Sequence, residues 1–207
     1  MPNKIKQTIS LVPTLTIAAI ASICILNLTA CHKSNTAENV TPLEKNPPAA
    51  TVPAPQSIVV NSPDLTNGET ITKKFTADGA NLSPAINWSV APEKTASFAL
   101  IADDPDAPGG DWIHWVIYDI PASQNGLPPS FSKKSVLPNQ TKQGKNSFRK
   151  TGYGGPQPPP GKLHHYYFTV YALDNRGLPD DLDADGLIKA MQGHIVGSGK
   201  LMGTYQR

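Results

Sequence analysis

The sequence predicts a mostly β domain over residues 57–207, a β-sandwich with a helical appendage near its C-terminus. Three observations carry that prediction. Short runs rich in Val, Ile, Tyr, Phe and Trp recur between turn signals built from Gly, Pro, Asn and Asp. Only Asp180–Gln192 spaces its apolar residues as a helix does. The length left after the N-terminal segments, about 150 residues, is that of one domain around one core.

The first 30 residues stand outside that domain. Lys4 and Lys6 precede an uncharged, almost wholly apolar run, Ile9–Leu28, which ends in Leu28-Thr29-Ala30-Cys31. Small residues before a cysteine, where an apolar run gives way to a polar one, resemble a bacterial lipoprotein signal. Residues 1–30 are then a cleaved signal peptide, and Cys31 is the lipidated new N-terminus. Several acyl chains, each contributing about 0.8 kcal/mol per buried CH₂, hold a protein stably on a membrane. The run is also long enough to serve as a transmembrane anchor. The lipoprotein reading places the protein in the bacterial envelope, and His32 after the cysteine favours, by analogy with enteric bacteria, the outer membrane facing the periplasm. Residues 31–56, rich in Pro, Ala, Thr and Asn, read as a flexible tether.

The chain has two cysteines, Cys24 and Cys31, so the folded domain has no thiol. A disulfide, a zinc–thiolate site and a cysteine nucleophile are excluded there. Of the 18 Lys and Arg, Lys4 and Lys6 leave with the signal, which holds none of the 16 acidic residues. The remainder balances, and nothing points to nucleic acid.

Within the domain, Ser57–Asn61 reads as a short strand. Asn67-Gly68 is a turn before a strand at Thr70–Phe75, and Asp78-Gly79 is a turn before one at Ala85–Val90. Ala96–Ala102 has the composition of a buried strand, and Trp112–Ile120 (WIHWVIYDI) is the clearest strand of all. Residues 126–147 read as a polar loop region. His164–Leu173 is aromatic and β-branched and forms another strand. In the helix, Leu182, Leu187, Ile188 and Met191 form the apolar stripe, with Asp183 or Asp185 as its N-cap. Leu201–Tyr205 returns as a last strand. His194 reads as a helix-end residue near terminal carbonyls, and Trp115, Phe168 and Tyr171 as core.

Two stretches carry chemistry. Thr151–Leu173 (TGYGGPQPPPGKLHHYYFTVYAL) is a Gly-Pro loop feeding a strand on which His164 and Tyr166 share one face, His165 and Tyr167 the other. Asp103–Trp115 (DDPDAPGGDWIHW) places Asp104 and Asp106 in a stiff loop after a buried strand, with Ala107-Pro108 a candidate cis bond. Asp-Pro carboxylates most often cap turns. Trp112 and His114 share one face of the next strand, Ile113 and Trp115 the other. A lone strand histidine is usually packed. Two of them, each with an aromatic residue two positions away, point instead to a pocket. A Gly-rich turn aims N–H groups at one point as an anion nest, and histidines titrate near neutrality. An aspartate beside them orients and protonates a histidine, or pairs with an amine, and the aromatic rings offer an ammonium a cation–π face.

DPDAP, WIHW, GGPQPPPG, HHYYFTVYALD and MQGHIVGSGKLMGTY, in that order over 57–205, resemble the phosphatidylethanolamine-binding protein family, in its bacterial Raf-kinase-inhibitor-like branch. The resemblance implies a β-sandwich with a small pocket for phosphate-like anions. Carried over by position, the pocket residues are Asp104 and Pro108, Trp112 and His114, Gly155 and Pro156, and His164 and Tyr166. Relatives also place a C-terminal helix near the pocket rim, which Gly197-Ser198-Gly199 argues against here, and an arginine where this chain has His165, which should point away.

The expected function is therefore a membrane-tethered, non-enzymatic binding protein for a phosphate-like ligand or phospholipid headgroup, with no cofactor and no metal. One alternative is a regulator docking to an envelope protein of unspecified identity. The other is a hydrolase using Asp104, His114 and His164, disfavoured because no G-x-S-x-G elbow or cysteine nucleophile is present.

Overall fold

The computed structural model describes residues 54–207. The signal-like segment, Cys31 and nearly all of the 31–56 tether lie outside the described residues. Among the described residues, no helix is long and apolar enough to cross a membrane.

The domain is mostly β, as expected. Its strands are β1 (Gln56–Ser57), β2 (Val60–Asn61), β3 (Ile86–Trp88), β4 (Ser97–Asp104), β5 (Trp112–Pro121), β6 (Gly126–Leu127), β7 (Lys142–Gln143), β8 (His164–Leu173) and β9 (Ile195–Tyr205), with helix α1 (Ala184–Met191) before the last. Six form a large sheet in the order β1-β9-β8-β4-β5-β7, and β2-β3-β6 form a small one. The main core lies between the sheets, where Phe98, Leu100, Trp115, Ile117, Phe168 and Val170 meet Ile86 and Trp88. A second core, on the outer face of the large sheet, joins Ile101, Val116, Tyr118 and Leu173 to Leu187 and Met191 of α1. Strand β8 alternates as its sequence demands: His164, Tyr166, Phe168 and Val170 are buried, while His165, Tyr167, Thr169 and Tyr171 are half-buried.

Strand β5 departs from simple alternation. Ala102 pairs with Trp115 but Asp103 with Ile113, so His114 is the extra residue of a β-bulge. Trp112 and His114 share a side, as expected. Trp115 does not join Ile113: the bulge turns its indole into the main core, while Ile113 packs on the outer one.

Other expectations are corrected. Residues 70–75 hold only an isolated bridge, Thr70 to Thr204, and a 3₁₀ turn at Lys73–Phe75. The carbonyl oxygens of Lys73 and Phe75 accept from the Thr76 and Tyr153 hydroxyls instead of a strand partner. The helix is shorter than 180–192, because Asp183 caps it by accepting from the Gly186 N–H at 2.9 Å. Ile188 remains exposed. Ala107-Pro108 is trans, like every other peptide bond among the described residues. His194 turns its ring to the Asp174 carboxylate at 2.8 Å, not to helix carbonyls, and Tyr171 is half-buried on the outer face. The last strand is twice its expected length, since Gly199 lets the Ile58 carbonyl cross where a Cβ would sit 1.8 Å from it.

Candidate functional site

The site forms where β4, β5 and β8 end together and three loops close over them. A cavity of about 190 Å³ opens there, lined by Asp104, Pro108, Trp112, His114 and His164 of the expected set. Ala107, Phe148, Gln157, Pro158 and Pro159 complete its wall.

Asp104 and His164 form its fixed polar pair. His164 Nδ1 donates to Asp104 Oδ2 at 2.8 Å, with both side chains almost fully buried. Asp104 Oδ1 also accepts from the Asp106 N–H at 3.0 Å, so the same carboxylate caps its own turn. Asp106 accepts from the N–H and Nδ1 of His165 at 3.0 and 2.6 Å. That contact holds the Asp106 carboxyl below its ordinary range, fastens the DPDAP loop to the start of β8 and keeps His165 out of the cavity.

His114 is the second polar feature. Its Nδ1 lies 2.5 Å from the Gly154 carbonyl oxygen, and the Gly154 N–H returns to the His114 carbonyl at 2.9 Å. The bulge residue is thus paired with the Gly-Pro loop instead of a strand. Burial pushes its ring below the usual imidazole pKa, against the opposing pull of the Gly154 carbonyl and the Asp104 charge. Its Nε2 is buried and has no partner.

Tyr166 stands behind His114, rings edge to face at 5.2 Å, and does not line the cavity. Its hydroxyl is buried without a hydrogen bond. Burial, then the nearby Asp104 charge, raises its pKa well above the ordinary phenol.

Gly155 and Pro156 lie outside the cavity, which corrects the expectation of a glycine anion nest. The Gly155 N–H donates to Asn81 Oδ1 at 2.7 Å, and the Pro156 carbonyl accepts from the Ala77 N–H at 3.0 Å. Gly155 is required for close approach: a Cβ there would sit 2.4 Å from the Phe75 carbonyl oxygen. The rest of the loop is clamped by the C-terminus, where the Gly161 N–H donates to the Arg207 carbonyl at 3.0 Å. Arg207 itself pairs with Asp78.

Phe148 is the aromatic wall residue that sequence reasoning missed, along with Ala107 and Gln157. Its ring packs edge-on against Trp112 at 5.4 Å and His114 at 5.6 Å. It follows a polar segment with no periodicity, and only its isolation as an aromatic there could have flagged it. Pro158 and Pro159 were signalled by the proline run but not selected. Among the described residues, no group of three His, Cys, Asp or Glu is arranged to hold a metal ion.

A family profile described as phosphatidylethanolamine-binding protein matches residues 61–206. The chain belongs to that family. A "UPF0098 protein" of Aquifex aeolicus is 44% identical over 151 residues, 72% of this chain and 88% of the relative. Another from Methanothermobacter thermautotrophicus is 42% identical over 138 residues, covering 66% and 91%. The crystal structure of Escherichia coli YbcL, described as a new member of the mammalian PEBP family, superposes with a TM-score of 0.68 at 33% identity. The superposition covers 72% of this chain and 98% of that one. This domain therefore matches nearly the whole of that relative's chain. The family's fold and the domain described above agree, with mostly β structure and one helix near the C-terminus.

Proposed function

We propose that this protein is a membrane-tethered, non-enzymatic binding protein whose cavity holds the phosphate-like group of a small ligand or phospholipid headgroup. The observation that carries the reading is the buried Asp104–His164 pair and the His114 ring in the wall of one preformed cavity. The aromatic faces of Trp112 and Phe148 exclude water from the same space and offer an amine a favourable neighbour. The family's description, with its named phospholipid, favours a headgroup among phosphate-like ligands.

The lining offers the Asp104–His164 pair no hydroxyl or thiol to activate as a covalent nucleophile. The size of the cavity suits a headgroup and leaves acyl chains outside. Attachment to the envelope rests on the sequence around Cys31.

Calorimetric titration of the protein with phosphoethanolamine and with inorganic phosphate tests the reading. Saturable binding that falls at least tenfold in W112A is expected. No heat from either ligand at millimolar concentration overturns it.

A further inference from the structure

We propose that a hollow beside the first cavity, walled by Asn81, Lys133, Lys150 and Thr151, is a second anion site that takes a doubly charged phosphoryl group. It stands apart from the function proposed above, because Asp104, His114 and His164 do not line it.

The first support is charge. Residues 120–173 contain seven Lys and Arg and no Asp or Glu. Lys142 and Lys162 pair with carboxylates from outside that stretch. Lys133 and Lys150 have no such pair among the described residues, and both line the hollow, which has a volume of about 140 Å³. No carboxylate lines it, and Asp78, next in sequence to the wall residue Ala77, is already paired with Arg207. The first cavity is the reverse, with Asp104 in its wall and no Lys or Arg. A dianion therefore meets two cations in the hollow and a carboxylate in the cavity.

The second support is the way the wall is held. The stem of Lys133 lies across Gly152, where a Cβ would sit 3.1 Å from Lys133 Cγ. Buried Asn146 accepts at Oδ1 from the Phe148 and Lys150 N–H groups at 3.0 and 3.1 Å, and donates from Nδ2 to the Gly152 carbonyl at 2.8 Å. One asparagine thus sets the backbone of Lys150 and of the glycine beneath Lys133. Asn81 is oriented by its own partner. The Gly155 N–H donates, so the Asn81 atom that faces it at 2.7 Å is Oδ1. What Asn81 has left to offer is Nδ2, whose hydrogens have no partner among the described residues. Two ammonium groups, an amide and the Thr151 hydroxyl make a set of donors that an oxyanion with several acceptor oxygens completes. Phe148 and Gln157 line both spaces, so the two sites are neighbours with a shared partition.

The test is calorimetry and two-dimensional NMR on the full chain in detergent micelles at pH 8, where phosphomonoesters carry two charges. Inorganic phosphate and dihexanoyl phosphatidic acid are titrated at fixed ionic strength, and phosphoethanolamine reports separately on the first cavity. Saturable shifts of the Asn81 side-chain amide and of the Lys133 and Lys150 ε-methylenes are expected. K133Q/K150Q should weaken phosphate at least about fivefold, the loss of two exposed ion pairs. K133R/K150R, which keeps the charges, should stay within about twofold. Both variants should leave the His114 and His164 ring shifts with phosphoethanolamine unchanged. Phosphatidic acid binding tenfold more tightly than phosphate at the same signals would identify a lipid source, and equal affinity a free phosphate.

Asn81 and lysine signals that stay unmoved at millimolar phosphate, or that drift without saturating, overturn the proposal. Equal phosphate affinity in K133Q/K150Q overturns it too, as does an equal loss in the arginine variant. Phosphate shifts confined to the His114 and His164 rings overturn it and leave the first site standing. Asn81 shifts with phosphate, alongside histidine rings that ignore phosphoethanolamine, support the second site and remove the first.

Discussion

His164 Nδ1 and Asp104 Oδ2 lie 2.8 Å apart with almost no solvent on either side chain. The pair joins the last residue of β4 to the first of β8, so it fixes the geometry of the cavity and the ends of two central strands together. Removing one partner strands the other in a dry site. Asp104→Ala should cost about 3–5 kcal/mol of stability. In denaturant unfolding, a double-mutant cycle with His164→Ala should return a coupling of at least about 1 kcal/mol. Additive single effects would mean that the pair contributes no mutual stabilisation.

Gly155 tests the reassigned role of the Gly-Pro loop. Gly155→Ala should destabilise the domain by about 1–3 kcal/mol, because its Cβ meets the Phe75 carbonyl. The Gly155 amide should also show slow hydrogen exchange before any ligand is added, since Asn81 already holds it. Fast exchange in the free protein would restore the amide to the candidate anion donors.

The C-terminal clamp gives an acid signature. Asp78 is held down to about 2, first by its hydrogen bonds from Arg207, which outweigh the opposing desolvation with help from the Tyr205 hydroxyl. A carboxyl whose folded pKa is lowered contributes stability that is complete above its unfolded value near 4 and is lost as pH falls toward 2. A carboxyl ¹³C titration should place the Asp78 midpoint near 2, and Arg207→Gln should return it toward 4. A midpoint near 4 in the unaltered chain would mean that the clamp is open in solution.

Asp103 works in the opposite sense. Burial, then the charges of Asp111 and Asp104, raise its carboxyl to about 6. Its favourable contribution is complete below the unfolded value near 4 and disappears as pH rises through 6. Asp103→Asn should therefore stabilise the domain by about 1 kcal/mol at pH 8, a value reduced from the full shift because its exposed edge is screened by water. The gain should vanish near pH 4. Equal gains at both pH values would locate the effect in packing instead of charge.

Much of this was legible in the chain. Period-two spacing placed His164 with Tyr166 and sent His165 outward, and the Asp-Pro motif foreshadowed a carboxylate that both caps a turn and orients a histidine. The bulge at His114 was not legible. Its extra residue is absorbed by Gly154, 40 positions away, and strand alternation carries no trace of such a partner. The same limit hid Asn81, which takes the Gly155 amide across 74 residues and leaves Pro158 and Pro159 to line the cavity. Local pattern sets which face a side chain takes. Long-range closure decides which backbone groups remain free.

Lipidation is a separate proposal with its own readout. Cells expressing the full chain should incorporate labelled palmitate into it, and Cys31→Ser should abolish the label. Retention of label in that variant would move the attachment elsewhere.

The first measurement to make is an NMR titration of the isolated 54–207 domain with phosphoethanolamine, following the ring signals of His114 and His164. Saturable shifts of both rings, at one shared affinity, are expected of a ligand seated between Asp104 and Trp112. Rings that stay unmoved at millimolar ligand would contradict a phosphate-like site in this cavity.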